Sequence, residues 1–173
     1  MESKAKLAGH PIHQMLIVFP LGLLIMALVF DILYFITGNS GFATAAFWDI
    51  PAGIIGGLIA AVFGFIDWLA IPAGTRAKRI GLLHGSGNVV VVLLFAISWL
   101  LRWGAPDGAP GLAAFVPALL AVGLGAITGW LGGELVDRLG VGVSPGANLD
   151  APSSLSDRPA GRTGEAPAQQ AHS

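Results

Sequence analysis

MLIVFPLGLLIMALVFDILYFI, residues 15–36, holds a single charged side chain, Asp31, in 22 positions. A helix rises about 1.5 Å per residue, so this stretch is long enough to cross a hydrocarbon core of about 30 Å. Three further stretches have the same character: Ile50 to Ile71, Leu82 to Trp103 and Leu112 to Val136. The composition agrees, with 54% hydrophobic and 11% charged residues and a mean hydropathy of +0.76. A soluble domain carries about 25% charged residues. The chain therefore reads as a membrane protein.

Barrel strands would appear as alternating segments of about 10 residues, and the Leu, Val, Ile and Ala runs do not alternate. The expected fold is all-α, an integral membrane four-helix bundle. Lys4 and Lys6 precede the first span, Arg76, Lys78 and Arg79 lie between the second and third, and the loop expected from Thr37 to Ala46 has no charge. Cytoplasmic loops collect Lys and Arg. This predicts both termini cytoplasmic, in a multi-pass protein of the cell inner membrane. A cleavable leader ending near Ala43-Thr44-Ala45 fits poorly, because the apolar stretch is too long and that site too distant.

Residues 1–140 then form a four-helix transmembrane domain. After Leu139 the chain turns to Gly, Ala, Pro, Ser and Asp. Residues 141–173 are expected to be a disordered cytoplasmic tail, since they cannot bury enough apolar surface to offset the entropy of ordering. His172, within it, is expected to be incidental. The absence of cysteine removes disulfides and thiolate-held iron–sulfur clusters. The glycine-rich segments lie inside spans and lack a phosphate-binding lysine motif, and the one basic loop is too small for a nucleic-acid surface.

In the second span Gly53, Gly57 and Ala61 recur every fourth residue, with Gly56, Ala60 and Gly64 on the neighbouring stripe; the fourth span has Ala121, Gly125, Gly129 and Gly133. Small residues at this spacing let helices approach closely where lipid supplies no hydrophobic drive. The stripes predict packing rather than a ligand cradle. Pro20 and Pro117 fall near the starts of their spans, where neighbours can satisfy a freed carbonyl. A weak internal repeat also shows: His13 and His84 are 71 residues apart, Asp67 and Asp137 are 70 apart. Such halves would be related by an axis along the membrane normal, setting one histidine opposite the other.

Every span brings a polar group to the face expected to be cytoplasmic. His10 and His13 open the first, Asp67 closes the second, His84 opens the third, and Glu134 with Asp137 closes the fourth. His10 and His13 share a face if the helix begins at Pro11, and His84 shares one with Asn88 four residues on. Ionisable groups inside a span cost about 2.5–3.5 kcal/mol at the bilayer centre, and so are paired or functional. Asp137 adjoins Arg138, and Glu134 either pairs with Arg138 four residues on or faces inward. At the opposite side Asp49 reads as a helix N-cap, while Asp31 has no basic partner in view.

The stretch Gly9-His10-Pro11-Ile12-His13, followed by Phe19-Pro20, Asp31, Gly64 through Asp67-Trp68, and His84 with Asn88, resembles the bacterial membrane family catalogued as domain of unknown function 2231, over roughly residues 7 to 136. The double-histidine opening is its most specific part. A second proline usually follows the second histidine in that family, where this chain has Gln14. The resemblance implies a compact four-helix membrane domain similar to b-type cytochrome bundles. Some relatives are joined to Rieske-type iron–sulfur domains, which implies electron transfer; this sequence has no cysteine to hold such a cluster.

Three readings stay open. In the first, a b-type haem is held by His84 and either His10 or His13, beside Asn88, making an electron-transfer module at the cytoplasmic face. With histidines on one side only, one such haem per chain is the limit. In the second, His10, His13 and His84 with Asp67 or Glu134 hold a divalent transition metal, since a mixed nitrogen and oxygen set suits zinc, iron or manganese. In the third, the chain is a cofactor-free scaffold or subunit whose histidines bond helix ends. The lipid bilayer is a partner in all three, a redox partner or quinone in the first, and association with copies of itself fits any. Catalysis is confined to redox chemistry at the haem or metal, and nucleic acid is not a partner.

Overall fold

The computed structural model describes residues 1–156 and 158–161. The tail expectation for residue 157 and for 162–173, His172 included, lies outside the described residues. Among those described, four helices are long and apolar enough to cross a membrane.

The first span is α1 (Ile12–Leu16) running into α2 (Val18–Thr37). The break at Ile17 has a local cause. Pro20 offers no N–H to the Leu16 carbonyl, and its ring crowds that turn. Gly38, at φ 68°, ends α2 by donating to the Tyr34 carbonyl at 2.8 Å. Asn39 then caps α3 (Ser40–Ala70), its side chain accepting from the Gly41 N–H at 2.9 Å. The second helix thus starts well before the expected Ile50. Ser40 to Ala46 is helix and not loop, and Asp49 lies inside α3 rather than capping it. Ala43 and Ala46 are fully buried: the uncharged stretch is a packing surface made of small residues.

Thr75 caps α4 (Arg76–Leu100), accepting from the Lys78 N–H at 3.1 Å. A 3-10 turn at Pro106–Gly108 leads to α5 (Leu112–Gly133). The final turn, Glu134–Arg138, widens so that the Leu139 N–H reaches the Glu134 carbonyl at 3.1 Å. Ahead of α1, a short antiparallel ladder pairs β1 (Lys6–Leu7) with β2 (His10–Pro11). Its turn places Ala8 at φ 50° and Gly9 at φ 82°, the left-handed pair that a two-residue hairpin needs.

The helices α2 and α3 form one hairpin and α4 and α5 the other; α3 packs on α4, and α5 returns to α2. The arrangement is a square with α2 and α4 facing across its diagonal. Leu24, Ala27, Leu28, Ala46, Ile50, Val91, Phe95, Ala118 and Ala121 fill the interior. Large apolar side chains such as Phe65, Leu93 and Ile127 face outward, where lipid solvates them as well as a core would.

The internal repeat is visible in burial. Shifted by 71 residues, buried Leu24, Ala27 and Asp31 of α2 fall on buried Phe95, Ser98 and Arg102. Shifted by 68, buried Ala46, Ile50, Gly53 and Ala60 of α3 fall on buried Ala114, Ala118, Ala121 and Thr128. Between matched positions the chain is three residues shorter in the second half, Arg102 to Ala114 against Asp31 to Ala46. Asp67 therefore corresponds to Leu135, not to Asp137 as its spacing suggested.

A histidine pair on the bundle diagonal

His10 and His13 do not share a helix face. The residue before a proline is pushed to extended backbone, so His10 lies on β2 while His13 sits in α1. His10 is exposed and its Nε2 is 3.1 Å from the Ser154 hydroxyl. His13 and His84, both half-buried, meet instead across the diagonal, ring centres 6.3 Å apart and planes at 86°.

Each ring is set by the partner helix of its own hairpin. His13 Nδ1 is 2.8 Å from the Ala60 carbonyl, and His84 Nδ1 is 2.8 Å from the Thr128 carbonyl. A helix carbonyl is normally screened by the side chain four residues later, because each Cβ leans toward the N-terminus. Here those positions are Gly64 and Gly132. A Cβ at Gly64 would come within 2.9 Å of the His13 ring, and one at Gly132 within 3.1 Å of the His84 ring. In the second span the stripes pack as expected, Gly53 against Leu24 and Gly64 against the His13 imidazole; in the fourth span the expectation fails beyond Ala121. Gly125, Gly129 and Gly133 face open space, so Gly132, not the stripe Ala121 to Gly133, serves the fourth helix.

Because a carbonyl only accepts, each Nδ1 is the donor, and in a neutral ring the lone pair is on Nε2. Asn88 lies with His84 on one face as its spacing predicts: its Nδ2 donates to the His84 carbonyl at 2.9 Å and lies 3.3 Å from Nε2. Its Oδ1 accepts from the Thr128 hydroxyl at 2.9 Å. Position for position, the first half has Ile17 for Asn88 and Ala60 for Thr128, so His13 has no matching amide.

The carboxylates are engaged elsewhere. Asp67 accepts from the Lys4 N–H at 2.7 Å and lies 2.7 and 2.8 Å from the Ser3 hydroxyl, tying down the N-terminal segment. Glu134 pairs with Arg76 of α4 at 2.7 Å rather than with Arg138, because α4 and α5 lie side by side at this end. Among the described residues no three His, Asp or Glu side chains gather as metal ligands. The segment beyond Gly140 also reaches the N-terminus, the Gly142 N–H donating to the Met1 carbonyl at 2.8 Å. In that exposed stretch a hydrogen bond from Lys6 holds the Glu2 carboxyl below its ordinary value.

At the other end of the diagonal, Asp31 does have a basic partner. Arg102, just past α4, grips both its oxygens at 2.6 Å, and both side chains are fully buried. Arg102 also donates to the Ser98 hydroxyl at 2.9 Å, which donates on to the Ala114 carbonyl at 2.6 Å. One signal for this pair was present in the sequence. Asp31 and Arg102 are 71 residues apart, the spacing of His13 and His84.

No curated protein and no solved structure matches the chain. The family model described as predicted membrane protein, DUF2231, matches residues 9–145 of the 173, and the chain belongs to that family.

Proposed function

We propose that the chain binds one b-type haem through His13 and His84 and passes single electrons at the histidine end of the bundle. The observation that carries this reading is the matched pair of imidazoles, each with Nδ1 spent on a backbone carbonyl. Metal-bound histidines are typically oriented by such a bond, which sets the tautomer and raises the basicity of the other nitrogen. Two imidazoles that share a metal through bonds of about 2 Å have ring centres on the order of 6 Å apart, against 6.3 Å here. Bound there, haem iron would supply a one-electron couple. The chain's own part is to hold both rings from the Ala60 and Thr128 carbonyls and to keep Gly64 and Gly132 out of their way. Asp67 and Glu134 are not part of this site.

A second reading has its own support. Asn88, His84 and Thr128 satisfy one another's hydrogen bonds within the chain, as a cofactor-free clasp between helices would. Absorption spectra of the purified protein, expressed with added haem, separate the two. The expected result is a Soret band that His13→Ala and His84→Ala each remove and His10→Ala leaves. A folded, colourless protein, or a band that survives both substitutions, sinks the haem reading and favours the scaffold.

The basic first turn of α4, Arg76 to Arg79, supports putting the histidine end on the cytoplasmic side of an inner membrane, where a soluble redox partner or a membrane quinone would meet it. With impermeant thiol reagents on intact cells, Ser40→Cys should label and Thr75→Cys should not. The reverse pattern puts the histidine pair outside.

A further inference from the structure

We infer that Asn88 makes His84 the releasable ligand of the pair and His13 the fixed one. This rests on the haem reading above. The two histidines share their Nδ1 contact and differ in what meets Nε2. His13 and His84 make the same Nδ1 bond, at the same distance, beside a glycine at the same helical position. The polar groups are all on one side. Asn88 Nδ2 lies 3.3 Å from His84 Nε2, anchored by its 2.9 Å bond to the His84 carbonyl and by the Thr128 hydroxyl on its Oδ1. Ile17 and Ala60 occupy the corresponding places around His13, and no hydrogen bond reaches its Nε2 among the described residues.

A ring nitrogen that leaves a metal loses a bond, and a donor already in place offsets part of that loss. If the bond to His13 breaks, no side chain is in place to meet its Nε2 among the described residues. When His84 lets go, the Asn88 amide receives it. The amide therefore competes for the same lone pair and lowers the cost of opening the site on that side alone. A small neutral molecule then enters in place of His84, while His13 keeps hold of the group.

Carbon monoxide added to the reduced, haem-loaded protein is the probe, followed by stopped-flow absorption. Wild type should take up carbon monoxide, and Asn88→Leu should do so more slowly by roughly fivefold, the worth of one net hydrogen bond. The oxidised spectrum should stay that of two-histidine ligation in both. Thr128→Val, which loosens Asn88 without removing it, should slow uptake by less. Equal uptake rates in wild type and Asn88→Leu, or no uptake in either, overturn the inference and leave the haem reading standing. Absence of a Soret band in the wild type overturns both.

Discussion

The two ends of the α2–α4 diagonal are built on the same spacing and solve opposite problems. At one end Asp31 and Arg102 are fully buried, bidentate, and completed by Ser98. At the other, His13 and His84 are half-buried, each Nδ1 lies against a backbone carbonyl of its own hairpin, and Asn88 meets the second ring nitrogen of His84 alone. Across an axis relating two halves, corresponding positions meet each other. Two neutral imidazoles tolerate that, but two aspartates or two arginines would repel. The halves had to differ where a charge was placed and did not where histidine was. The Asp31 carboxylate and the Arg102 guanidinium turn their hydrogen bonds on each other and on Ser98; the two imidazoles turn only Nδ1 on the backbone.

Breaking the closed end should have the largest effect. Arg102→Leu strands a buried carboxylate and is expected to cost about 3–5 kcal/mol, whereas Asp31→Leu combined with Arg102→Leu should cost far less. Denaturation of the detergent-solubilised protein measures both. A single variant no worse than the double would show that water already reaches this pair.

The histidine end is probed next by its glycines. Gly64→Ala and Gly132→Ala push a methyl into the ring of His13 or His84, and overpacking of this kind costs about 1–3 kcal/mol. Gly64→Ala should be the more severe, since its added Cβ would lie 2.9 Å from two ring atoms against 3.1 Å from one at Gly132. Thermal melts that rank them the other way would mean that the second hairpin is the tighter.

Thr128→Val tests the asymmetry between the halves. It deletes the hydroxyl that Asn88 accepts from while keeping the shape, and should cost about 1 kcal/mol. The matching position, Ala60, has no hydroxyl to lose. Smallest of all should be Gly129→Ala, which meets open space and should shift stability by no more than about 0.5 kcal/mol. A larger loss in the same melts would show that another molecule covers this face.

The sequence by itself determined the four spans, because length and apolar composition decide whether a segment crosses lipid. It also placed His84 and Asn88 on one face, because four residues is slightly more than a helical turn. The exclusion of His10 was legible too, in Pro11, though its effect on the preceding residue was outweighed by the three-residue spacing to His13. Only the tertiary structure decided which groups meet. Arg102 for Asp31, Arg76 for Glu134, Ser3 and Lys4 for Asp67, and the Ala60 and Thr128 carbonyls for the two imidazoles are all partners 44 to 71 residues away. Local spacing fixes the face of one helix on which a side chain sits. Which face of a neighbouring helix it meets depends on how the helices rotate and slide to bury their small residues, and that is settled only when all four pack together.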